Sequence, residues 1–103
     1  MSTETPVGLW PNLAYADAPA AIAFLVAAFG FEVRADYRRD GAPDIVEHAE
    51  LRAPAGGGVM LGTAGKDDTP WGRRAPGLDA CYVVCTDPDA LFARAVAAGA
   101  EVV

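Results

Sequence analysis

The chain has 103 residues, of which 52% are hydrophobic and 21% charged. That is enough apolar material for one domain with a core, and too much for a disordered tail. Fourteen acidic residues against eight basic ones leave a net charge of -6, which excludes a surface that tracks nucleic-acid phosphates. No apolar run nears the ~20 residues needed to cross a bilayer. The opening Met1-Ser2-Thr3-Glu4-Thr5-Pro6 has neither the basic nor the apolar region of a secretory leader.

In chain order, Leu9 to Ala16 predicts a strand, with Pro11 suited to an edge or a strand start. Asp17 is placed to cap a helix and Pro19 falls in its first turn. Ile22, Leu25, Val26 and Phe29 form the apolar stripe of that helix, and Gly30 sits where a left-handed residue would end it. Phe31 to Arg38 predicts a second strand, closed by the turn Asp40-Gly41. Ile45 to Arg52 predicts a third, and Val59 to Gly62, after the turn Pro54-Ala55-Gly56-Gly57-Gly58, a short fourth. Residues 63–78 are rich in Gly, Pro and Asp, with Trp71 and the adjacent Arg73 and Arg74. A loop of this length in a small domain is either functional or a connector.

The pattern then starts again. Asp79 to Cys85 is β-branched and aromatic, which predicts a strand. Asp87 and Pro88 repeat the cap, Leu91, Phe92, Ala95 and Val96 the stripe, and Gly99 the stop. The capping aspartates Asp17 and Asp87 lie 70 residues apart. Strand, Asp cap, Ala-rich helix, glycine and Glu-Val strand occur twice, the mark of an internal duplication. The first unit is βαβββ; the second holds only a strand, a helix and the start of another strand. Either the polypeptide runs on past Val103 or another chain completes the second sheet, because a half-built sheet leaves open edges. Cys81 and Cys85 in a strand would lie roughly 13 Å apart on one face, beyond disulfide reach. They are expected to be buried free thiols, and together with the missing leader they point to the reducing cytoplasm.

Asp17 to Leu25, Ala28-Phe29-Gly30-Phe31 and His48-Ala49-Glu50-Leu51 resemble the vicinal oxygen chelate superfamily. That group holds glyoxalase I, extradiol dioxygenases and the fosfomycin- and bleomycin-resistance proteins; the nearest flavour is the glyoxalase/bleomycin-resistance type with its PhnB-like branch. The resemblance covers residues 9–103. It implies an α+β fold of paired βαβββ modules in a single domain over 1–103: a first module at 9–62, a connecting loop at 63–78, and the start of a second module at 79–103. It also implies a ligand cavity on the concave sheet face, and often a homodimer. In the superfamily's metalloenzymes a ligand lies seven residues before each capping Asp and another in the fourth strand of each module. Carried over, those positions are Trp10, Ala80 and Met60, with the last beyond Val103. None of the three is a ligand for a hard divalent ion. A one-residue slip substitutes Pro11, Val59, Leu61, Asp79 or Cys81, of which only the last two could bind metal.

Alternation through Val46, His48, Glu50 and Arg52 puts these residues on one sheet face and Ala49 and Leu51 on the other, beneath the helix. His48 and Glu50, ~6.6 Å apart along a strand, are a candidate general acid/base pair; equally, they suit a polar strand face satisfied by its neighbours. Trp10, Asn12 and Met60, joined by Tyr82 from the second module, predict an aromatic pocket wall for a planar or amphipathic ligand, or else a filled core. Trp71 is a candidate lid and Arg73 a contact for an anionic group. The leading expectation is binding of a small organic molecule with no cofactor. The alternatives are a lyase, isomerase, epimerase or dioxygenase-like enzyme using His48 and Glu50, or a Zn, Ni, Mn or Fe site completed by residues beyond Val103. No nucleic-acid or membrane partner is expected.

Overall fold

The computed structural model describes residues 5–103. The segment 1–4, read above as part of a leaderless start, lies outside the described residues. The elements are β1 (Asn12–Tyr15), α1 (Ala18–Phe29), β2 (Glu32–Arg39), β3 (Ala42–Arg52), β4 (Gly58–Thr63) and α2 (Pro88–Ala97). The strands form one sheet in the order β1-β4-β3-β2. β1 runs parallel to β4, and the other two pairs are antiparallel. This is one complete βαβββ module, and the α+β class expected from the pattern is observed.

β1 is shorter than expected because Pro11 has no N–H to donate. Its carbonyl still accepts from Met60 N (2.8 Å), and Leu9 O accepts from Gly58 N (3.4 Å), so the ladder continues one-sidedly. Each helix starts on its aspartate: Asp17 Oδ1 accepts from Ala20 N and Asp87 Oδ1 from Ala90 N, both at 3.1 Å. Gly30 closes α1 with φ +69°, a conformation that favours glycine. α2 ends one residue earlier than expected, on Ala98 in a right-handed conformation, with Gly99 just outside.

The core lies between α1 and the sheet. Ala18 and Ile22 meet Leu13, Val46, Ala49, Leu51, Val59 and Leu61. Val46 is a correction to the alternation reading. It is fully buried with Ala49 and Leu51 rather than lying with His48, Glu50 and Arg52. The cause is a bulge: Tyr37 pairs with His48 but Arg38 pairs with Val46, so Glu47 is skipped and the preceding residue turns to the other face.

The second unit behaves differently. Residues 79–85 pair with no strand, and α2 packs on α1 rather than on a sheet. Arg94 of α2 makes that contact specific. Its Nε donates to Ala27 O (2.8 Å), at the C-terminal end of α1, where a cation complements the helix dipole and satisfies an orphan carbonyl. The expected burial of Cys81 and Cys85 is therefore wrong: both are exposed free thiols, because strand side chains are buried only when another layer covers them. The Cα radius of gyration is 13.9 Å, against about 13 Å for a compact chain of this length, and the excess reflects this open second unit. Among the described residues no helix is long and apolar enough to cross a membrane.

The two caps should differ in consequence. Asp17→Ala is expected to lower the global melting point, at a cost of about 1 kcal/mol, because α1 roofs the core. Asp87→Ala should instead raise hydrogen exchange within α2 alone, since α2 buries only Ala95. Equal melting-point losses in the two variants would contradict this.

Candidate functional site

The sheet face opposite α1 carries the predicted residues in rows. Asn12 pairs with Met60, Met60 with Glu50, and Glu50 with Ala35. One row away, Ala14 pairs with Gly62 and His48 with Tyr37. Neighbours in register share a face, so Asn12, Met60, Glu50 and His48 do come together.

His48 and Glu50 are closer than strand spacing implies: Nε2 and Oε2 stand 3.0 Å apart. Rotamers at both positions lean toward each other and close the gap. Glu50 is the better buried, with 13% of its side chain exposed against 37% for His48. Its other oxygen accepts from the Thr5 hydroxyl at 2.6 Å, and Arg34 Nε lies 3.7 Å away. The Thr5 and His48 hydrogen bonds hold the Glu50 carboxyl below its usual range, with the charges of His48 and Arg34 assisting. An ionised Glu50 can only accept, so Nε2 carries a proton; in the neutral form of the imidazole, Nδ1 then presents the lone pair. The Tyr37 ring lies nearly parallel to the imidazole (14°), with centroids 6.4 Å apart. Chemically, this is an imidazole oriented by a carboxylate, with its free nitrogen available to take a proton.

Because the folded carboxyl titrates below its unfolded value of 4.5, Glu50 contributes stability that is complete above that pH. The contribution is lost as pH falls through the lower folded value. Glu47, paired with Arg39, is lowered too and acts in the same window; Asp67, bonded by Thr69, is also lowered but from the smaller ordinary value of an aspartate, so its contribution is lost at more acid pH. Glu50→Gln should therefore flatten part of the acid limb of a stability-against-pH curve and leave the remainder. An unchanged acid limb would refute the assignment.

Trp10 is half-buried. Its indole N–H donates to Pro6 O at 3.0 Å, and its ring lies over Gly58. Trp71 is exposed and, with Asn12, His48, Gly62 and Lys66, lines a recess of about 20 Å³, room for a single water. Lys66 reaches over Gly62 and donates to the Glu47 carbonyl. Two predicted residues are not brought to this face. Tyr82 is 94% exposed and borders a separate open cleft with Leu9 and Pro11. Arg73 is exposed on the loop, whereas Arg74 is engaged, pairing with Asp79 at 3.2 Å and donating to the Asn12 carbonyl. That contact ties the 63–78 loop to the edge strand β1.

Sequence reasoning missed Tyr37, Thr5 and Lys66. Counting outward from the Asp40-Gly41 turn would pair Tyr37 with Asp44; it meets His48 only because two register shifts intervene near the turn. Nothing local marks Thr5 or Lys66, which arrive from loops.

Trp10, Met60 and Ala80 offer no hard ligand. No group of three or more His, Cys, Asp or Glu side chains among the described residues, the His48–Glu50 pair included, is arranged to hold an ion.

Comparison with known proteins agrees with the architecture. The model of the Glyoxalase/Bleomycin resistance protein/Dioxygenase superfamily matches residues 9–103. The crystal structure of TioX from Micromonospora sp. ML1 is similar at 30% identity and TM-score 0.56, with 91% of this chain and 75% of that chain covered. No curated protein matches the chain. With a family match that spans both helices and all four strands, the chain belongs to the glyoxalase/bleomycin-resistance/dioxygenase superfamily.

Proposed function

We propose that this protein binds a small organic molecule on the sheet face opposite α1, without a metal ion. One observation carries the reading. Three of the four positions that the resemblance assigns to metal ligands are Trp10, Met60 and Ala80, the fourth falling beyond Val103, and among the described residues the His48–Glu50 pair belongs to no group of three or more His, Cys, Asp or Glu side chains able to hold an ion. An aromatic and thioether surface with an oriented imidazole and an ionised carboxylate suits a planar cationic ligand: rings stack on Trp10 and Trp71, and charge is met by Glu50. A cavity shared between modules takes 63–78 as the connector between a first module at 9–62 and a second that begins at 79. A homodimer would set a partner strand beside residues 79–85.

Titration with bleomycin and with the planar cation acriflavine tests this, read by quenching of Trp71 fluorescence and by thermal shift. A ligand at 100 times its Kd adds ~2.7 kcal/mol. Trp71→Phe and Glu50→Gln should each weaken the shift. Stoichiometric Zn, Ni, Mn or Fe in the purified protein, lost in His48→Ala, would overturn the metal-free reading. Light scattering should give twice the 10.7 kDa of one chain.

The 3.0 Å contact between His48 and Glu50 favours a second reading, in which His48 Nδ1 removes a proton from a bound carbon acid as a lyase or isomerase would. Deuterium wash-in to a bound ligand, lost in His48→Gln, distinguishes it from binding alone.

A further inference from the structure

On the α1 side of the sheet, at the β1 edge, α1 and residues 77–83 border an open-mouthed cavity of about 190 Å³. It lies across the sheet from His48 and Trp71 and shares neither residue with the face described above. Its walls are mostly apolar, with Leu25 and Val59 beside the rings of Phe29 and Phe31. Phe29 and Phe31 are tilted 59° with centroids 6.2 Å apart, so they present both an edge and a face to the space between. An apolar cavity of about 150 Å³ accepts benzene, so this one has room for one ring and a substituent, but not for a fused polycycle.

Two polar groups break the apolar lining, Tyr15 and Asp79. The Tyr15 hydroxyl is held in its protonated form by burial first, then by Cys81 and the Asp79 carboxylate. Arg74 engages Asp79 through Oδ2 at 3.2 Å, which leaves Oδ1 to accept from a ligand. Asp79 lines the cavity and Arg74 does not, so the carboxylate favours a neutral donor over an anion there, with the paired guanidinium offsetting part of its charge.

We propose that this cavity is a second small-molecule site, which takes a neutral single-ring aromatic bearing one hydrogen-bond donor, with its ring against Leu25, Phe29 and Phe31 and its donor on Asp79. The ligand would bridge the first module and the 77–83 segment, which has no sheet partner of its own. Occupancy would therefore also order that segment.

Phenol is the probe, added to the full chain and followed by amide chemical shifts. The largest changes are expected at Leu25, Phe29, Phe31 and Cys81, with His48 and Trp71 unmoved. Benzoate, of similar size but anionic, should bind about tenfold more weakly or worse, and Asp79→Asn should erase that preference. Phenol should slow alkylation of Cys81, which lines the cavity, and not of Cys85, which does not. Ala80→Trp, at an exposed rim position, should block phenol. If that variant fails to fold, Cys81 protection in the unaltered protein still decides. Shifts centred on His48 and Trp71, benzoate binding as tightly as phenol, unprotected Cys81, or no change up to on the order of 10 mM phenol would each overturn the proposal.

Discussion

Leu51→Ala should cost between about 2 and 5 kcal/mol, the range for emptying a fully buried leucine site. Leu51 has no exposed surface and sits on β3, between β2 and β4. Among the described residues its side chain belongs to a core of eight well-buried residues, roofed by one helix. A core this small has few neighbours able to move into the space, so the upper half of the range is expected. For a domain near this size, each kcal/mol moves the melting point by roughly 4–8 °C. For a chain at the lower end of the usual range of about 5–15 kcal/mol, that loss would consume most of the stability at ambient temperature. Urea unfolding at constant slope measures it. Leu51→Met, which conserves volume, should lose less than ~1.5 kcal/mol. Similar midpoints for the Ala and Met variants would mean that the core does not close around this residue.

Gly58→Ala should destabilise the fold by about 1–3 kcal/mol, although one methyl group is a small addition. Gly58 has no left-handed backbone requirement; what it lacks is space. A Cβ there would stand 2.6 Å from Cζ3 and 2.9 Å from Cη2 of Trp10, and would press on the Leu51 carbonyl. The indole can swing away only by giving up its hydrogen bond to Pro6; the carbonyl belongs to the sheet and cannot. In a Trp71→Phe background, which leaves Trp10 as the sole indole, Gly58→Ala should shift the fluorescence maximum as the ring is displaced toward solvent. Adding Trp10→Ala should recover part of the stability but not all, because the clash with the Leu51 carbonyl remains. A melting point within about 2 °C of the parent would show that the ring does not rest on this glycine.

Several features of the candidate site were legible because they depend on short spacings. The two-residue period of β3 put His48 and Glu50 together opposite Ala49 and Leu51, and the observed sheet keeps that division. Val46 fell outside it because a bulge at Glu47 answers to the partner strand, whose register no local pattern reports. Tyr82 and the two cysteines were misplaced for a related reason. Their sequence has strand character, but burial needs a covering layer, and α2 lies against α1 instead.

The linear chain was sufficient to specify the helices, their aspartate caps, the glycine at the end of α1, the doubling of the cap-and-helix pattern and the family. Capping, turn chemistry and side-chain periodicity act over a few residues and are written where they act. Folding in three dimensions decided the rest: the inward turn of Val46, the closing of His48 onto Glu50 beneath Thr5, the seating of Trp10 on Gly58, and the docking of Arg94 on the end of α1, which leaves residues 79–85 free of any ladder. Each of these joins side chains to neighbours supplied by strand register, loop reach or helix packing, and those are set by the packing of the whole chain.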